Sequence, residues 1–179
     1  MKALKIIAAA ATFVGAAAHP ALPATEGTVK TACQVEVDAD AFEAAKAQTE
    51  VVAFMKRVEG PVSILRPDGD GFEEIQAFRG MDLFAQDAVI SGAGVDTGFD
   101  LIFTDATTIS GVANTCMEIS KYLYKPQQKK GEMRVRLGRG VIALNAGKVA
   151  KLGGDTMSVR VRNDTNLAVT GTRLIVRAQ

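Results

Sequence analysis

The sequence predicts an all-β protein, a single domain of many short strands forming a solenoid-like β-roll or a sandwich. Short apolar runs dominate from residue 50 onward, and 15 of the chain's 17 glycines break them up. Turn signals recur roughly every 8–12 residues, the spacing of strands in all-β folds. No alternation of strands with long helical patterns appears, which argues against a doubly wound parallel sheet. Tryptophan is absent and only Tyr122 and Tyr124 represent tyrosine, so the core must come from aliphatic residues, methionine and phenylalanine.

The chain opens with Met1, Lys2 and Lys5, then the uncharged stretch Ile6–Ala18. This stretch is shorter than the roughly 20 residues a membrane helix needs. Ala16-Ala17-Ala18 fits a signal-peptidase site, so residues 1–18 read as a signal peptide cleaved before His19, with cleavage after Ala24 as the alternative. Residues 19–49 read as a lead-in, extended over 19–33, with a short helix starting near Asp40 as its N-cap. No later window reaches 18 apolar residues, so no integral membrane span is expected in the mature chain. Export makes a disulfide chemically permissible. Cys33 and Cys116 are the only cysteines, and they either pair or stand as separate thiols.

From residue 50 the elements follow in order. Val51–Val58 and Val62–Arg66 read as strands, with Gly60-Pro61 between them. Pro67-Asp68-Gly69-Asp70-Gly71 is a turn, because proline presets φ and glycine supplies positive φ. Phe72–Phe78, Met81–Phe84, Ala88–Ser91, Phe99–Thr104 and Thr108–Val112 follow as short β segments. In Cys116–Tyr124, alternation puts Met117, Ile119 and Lys121 on one face and Cys116, Glu118 and Ser120 on the other. Met133-Arg134-Val135-Arg136-Leu137 alternates strictly, which predicts a half-buried strand with both arginines on its polar face. Gly138 and Gly140 separate it from the strand Val141–Leu144. Val159-Arg160-Val161-Arg162 alternates again, and Leu167–Val169 and Leu174–Val176 close the chain.

Several segments, in this order, resemble the FecR domain of exported bacterial proteins. They are Val58–Arg66, Gly80-Met81-Asp82-Leu83-Phe84 with Asp87–Ser91, Leu101–Thr107, Ile119–Pro126, Leu137–Val141, Gly147–Leu152 and Val169–Val176. The likeness covers residues 50–179, and its motif positions here are Gly80, Asp87, Asp105, Thr107, Gly140, Gly147, Gly171 and Thr172. The chain departs from the family pattern at Ala106, where glycine is usual, at Arg162-Asn163 for threonine-proline, at Thr170 for arginine and at Leu174 for phenylalanine. Regulatory members of the family add a cytoplasmic sigma-factor-binding part and a membrane span. Neither is read in this sequence, so the resemblance implies a short exported form without the anti-sigma role.

The net charge of +1 gives no global pull toward nucleic acid. Lys129, Lys130, Arg134, Arg136 and Arg139 form a local basic cluster that reads as a solvated strand face and turn. With His19 as the only histidine, neither a Ser-His or Cys-His arrangement nor a zinc spacing can be drawn. Gly92-Ala93-Gly94 and Gly138-Arg139-Gly140 are too short for phosphate cradles, and Asp68, Asp70 and Glu73 lack the rest of a calcium loop. No catalytic residue, metal site or cofactor is therefore expected. The expected function is a non-catalytic binding or scaffold module, periplasmic or secreted, that meets an envelope protein or cell-wall component. Segments 79–94 and 125–140 are the candidate recognition surfaces. The alternatives are a periplasmic sensor working with a separate membrane regulator and a carboxylate-dependent glycan hydrolase drawing on Asp82, Asp87, Asp96, Asp100 or Asp105.

Overall fold

The computed structural model describes residues 28–30, 33, 36–38, 49–69, 71–162 and 165–179. The expected signal peptide with both its cleavage points, His19 and the helix expected from Asp40 lie outside these residues. The described chain is mostly strand, with no helix of seven residues or more. It forms one curled sheet, a half-barrel.

A small antiparallel pair, β1 (Thr28–Lys30) and β2 (Glu36–Asp38), precedes the main sheet, with Cys33 in the turn between them. The main sheet contains β3 (Ala53–Glu59), β4 (Val62–Asp68), β5 (Gly71–Gln76), β6 (Asp82–Leu83), β7 (Ala88–Ser91) and β8 (Gly98–Phe103). It continues with β9 (Thr108–Val112), β10 (Cys116–Lys125), β11 (Lys130–Asn145), β12 (Met157–Val161), β13 (Thr165–Ala168) and β14 (Arg173–Ala178). The order is β5-β4-β7-β10-β11-β9-β8-β3-β6, with β12 and β14 also paired to β11, and β13 to β12. All pairings are antiparallel except β11 with β12.

The 16-residue β11 is the axis of the fold. Its first half lies between β10 and β12, and its second half between β9 and β14. The sequence reads a break at Gly138–Gly140, whereas the strand runs through it. Gly140 has φ +88°, and a Cβ there would stand 2.5 Å from the Thr115 Cα. Glycine thus permits the bend that carries the chain from one half of the sheet to the other. The Thr115 hydroxyl supports the bend, donating to the Val141 carbonyl and accepting from the Val141 amide, both at 3.2 Å.

A second departure lies in β10. The register slips between Ile119 and Lys121, leaving Ser120 as an extra residue. Alternation alone puts Lys121 on the apolar face. The bulge instead turns Tyr122 inward, against Phe103, and leaves Lys121 exposed. Pro67, expected in a turn, is still paired, to Phe72. It lies past the last β7 partner of β4, Leu65, where a missing amide is tolerated.

One apolar core runs under both halves. Its fully buried residues include Met55 and Phe99 from one end and Met117, Met133 and Leu137 from the other. Cys33 and Cys116 are joined in a disulfide with Cα atoms 5.7 Å apart. It fixes the β1–β2 turn to the outer face, where Gly138 leaves room: a Cβ there would meet the Cys33 carbonyl oxygen at 2.6 Å.

Candidate functional site

Three motif residues converge on one buried lock. Asp105, in the β8–β9 turn, is fully buried and its carboxylate accepts three hydrogen bonds. Two come from Thr107, the amide at 3.0 Å and the hydroxyl at 2.8 Å, and one from the Val149 amide at 2.9 Å. The Thr107 hydroxyl in turn accepts from the Gly147 amide at 3.0 Å, and the Asp105 carbonyl accepts from the Lys148 amide at 2.9 Å. Gly147 is required by proximity, since a Cβ would lie 2.3 Å from the Thr107 nitrogen. The Tyr122 hydroxyl accepts from the Asp105 amide at 2.9 Å, and burial pushes this phenol well above its usual pKa.

The lock holds one end of the crossover from β11 to β12. Past it the chain makes a single 3-10 turn, Val149–Leu152, packed so close to Gly131 that a Cβ there would meet Leu152 at 2.6 Å. The crossover thus returns from the end of β11 to its beginning, which lets β12 run parallel to it.

Asp87 makes a second buried anchor. It accepts two hydrogen bonds from Arg66, at 2.9 and 2.7 Å, and one from the Phe84 amide at 2.9 Å. The Arg66 guanidinium lies 4.5 Å over the Phe84 ring, and its hydrogen bond to Asp87 raises its pKa further. Gln86 stitches this segment to the β10 bulge: its side-chain amide donates to the Ser120 carbonyl at 2.6 Å. Residues 85–89 are all buried, and half of the expected 79–94 surface is interior.

The remaining motif positions do not join these anchors. Gly80 has φ +89°, with open space around its Cα, and its amide donates to Met55. The Thr172 carbonyl accepts from Ala146 at 2.9 Å, while Gly171 is exposed with nothing near it, and nothing in the structure explains a glycine there.

A polar cavity of about 250 Å³ opens on the outer face of β10–β13. Its polar walls are Ser120, Arg134, Arg136, Ser158, Arg160 and Asn166. Parallel register puts Arg134 beside Ser158 and Arg136 beside Arg160, and β13 adds Asn166 beside Arg160. Arg134 donates to the Ser158 hydroxyl at 2.9 Å and to Glu132 at 3.2 Å. Arg136 donates to the buried Glu118 at 2.8 Å. Burial raises the Glu132 carboxyl, but Lys121 and Arg134 together bring it below its usual range.

Arg134 and Arg136 belong to the expected 125–140 surface, as strand residues rather than a loop. Ser120, Ser158, Arg160 and Asn166 were not singled out from sequence. The signal was the repeated alternation at 133–137 and 159–162, which puts arginines on one face of each strand. Of the five scattered aspartates, Asp87 and Asp105 are engaged as above and Asp100 is paired to Arg57 at 2.7 Å. Asp82 and Asp96 are exposed. Asp70, of the weak calcium pattern, lies outside the described residues. Among the described residues, no group of three or more His, Cys, Asp or Glu is placed to hold a metal ion, and no helix is long and apolar enough to cross a membrane.

Comparisons with protein-family models, with curated proteins and with solved structures give no match.

Proposed function

We propose that this chain is a non-catalytic binding or scaffold module of FecR-like type, acting in the periplasm or outside the cell on a protein or cell-wall partner. The observation that carries this reading is the polar cavity on the outer face of β10–β13, built entirely from strands. Side chains on paired strands are better fixed than loop residues, and fixed groups lose less freedom on binding. The Cys33–Cys116 bond suits an oxidising compartment and supports export. Asp87, Asp100 and Asp105 hold arginines or backbone amides, which favours binding over a two-carboxylate hydrolysis.

The test incubates the full chain with isolated bacterial envelope, measuring bound protein after sedimentation and soluble glycan released. Saturable binding without glycan release is expected. Glycan release abolished by Asp82→Asn would overturn the reading in favour of an enzyme. Asp82 suits this purpose because it is exposed.

A further inference from the structure

We propose that the arginine-lined cavity on β10–β13 is an oxyanion site, taking a carboxylate or phosphate group presented by the partner. This inference rests on the binding-module reading and names the chemistry of that site.

The argument begins with an imbalance of charge. Across the sheet one row runs Glu118, Arg136, Arg160, Asn166. Arg136 and Arg160 are direct neighbours on adjacent strands, an arrangement that is destabilising for like charges. Glu118 pairs with Arg136 at 2.8 Å. Arg160 is exposed and has no acidic partner among the described residues. In the next row Arg134 and Lys121 share the single carboxylate of Glu132. Cations thus outnumber anions on this face, and an added anion relieves the repulsion between neighbouring guanidinium groups.

Hydrogen-bonding capacity points the same way. The Ser158 hydroxyl accepts from Arg134, so its own proton remains to donate. Arg134 directs Nε to Glu132 and Nη1 to Ser158, and Nη2 remains for a ligand. Arg136 uses Nη1 on Glu118, and Arg160 holds its full fork of donors. A cavity with this surplus of N–H and O–H groups suits an acceptor with several oxygens, and arginine forks match the geometry of carboxylate and phosphate. The ~250 Å³ volume is below the usual 300–1,000 Å³ of a small-molecule pocket and fits one charged group on a single sugar or amino-acid unit.

The test is an NMR titration of the full, disulfide-bonded chain at low salt, following the arginine Nε–H signals. The probes are sodium glucuronate, inorganic phosphate and, as the uncharged control, glucose. Signals of Arg134, Arg136 and Arg160 are expected to shift with an anion and not with glucose, with millimolar affinity. Arg160→Gln should weaken the binding about tenfold or more, the effect of losing a charge-assisted pair. Tighter glucuronate binding assigns a carboxylate source and tighter phosphate binding a phosphate source, and either supports the site. Silence toward both anions, or equal binding by Arg160→Gln, overturns it. Silence with envelope binding intact would sink the oxyanion site alone. Anion binding at the cavity without any envelope binding would sink the module reading alone.

Discussion

Replacing Asp105 tests whether the buried lock holds the crossover in place. Asp105→Ala removes the acceptor for the Thr107 amide, the Thr107 hydroxyl and the Val149 amide. The hydroxyl can rotate to another acceptor, but the two amides cannot. Each buried unpaired donor costs about 1–3 kcal/mol, so the variant should lose about 3–5 kcal/mol. Asp105→Asn is milder. Its one oxygen can keep the Thr107 hydroxyl and the Val149 amide, while its NH₂ then faces the Thr107 amide. A loss of about 1–3 kcal/mol follows. Urea unfolding by circular dichroism, with the disulfide intact, measures both. With a slope near 2 kcal/mol/M, Asp105→Ala should move the midpoint down by about 2 M. An Asp105→Ala midpoint matching the unmodified chain would refute the claim that this carboxylate secures the crossover. Gly147→Ala attacks the same lock by overpacking, at about 1–3 kcal/mol. Combined with Asp105→Ala it should cost less than the sum, because both changes break one network. Loss of any glycan turnover in Asp105→Asn would therefore not identify a catalytic acid.

Three further outcomes follow from the geometry. Ala106 is exposed and has φ +69°, so Ala106→Gly should stabilise the chain by about 1 kcal/mol, read as a raised urea midpoint. Cys33 and Cys116 are 83 residues apart, so Cys33→Ser with Cys116→Ser should cost up to about 4.5 kcal/mol by loop-closure entropy. The same midpoint measurement reads it, and unchanged stability would mean the bond does not restrain the domain. Tyr122 has a raised folded pKa, caused first by burial. Its neutral form therefore supports the fold fully below the unfolded pKa of about 10, and that support is lost as pH rises beyond it. Phenolate absorbance at 295 nm should show a late component that disappears in Tyr122→Phe.

Local pattern revealed strands wherever side chains alternate without interruption. Met133–Leu137 is the clearest case, because period two is a property of the strand itself. It failed where one residue interrupts the period. Ser120 looks like any polar residue of a strand, yet it is the bulge that exchanges Tyr122 for Lys121 in the core. Gly138 and Gly140 mark a true feature, but glycine signals a break, a bend and a close approach alike. Here Gly140 bends and Gly138 admits the Cys33 turn. The cavity was hidden for a different reason. Arg136 and Arg160 meet only through a parallel pairing across the crossover, and no local pattern encodes which strands become neighbours. Asp105 and Val149 are 44 residues apart and are hidden for the same reason.

The central claim is that recognition runs through the arginine face of β10–β13, and direct binding to isolated envelope tests it most directly. The full chain, Arg160→Gln and Arg177→Gln are each sedimented with isolated envelope over a concentration series. Arg177 is an exposed arginine on β14, so its variant serves as the control for charge alone. The account predicts that Arg177→Gln binds like the unmodified chain and that Arg160→Gln binds about tenfold or more weakly. Equal binding by all three proteins would contradict it.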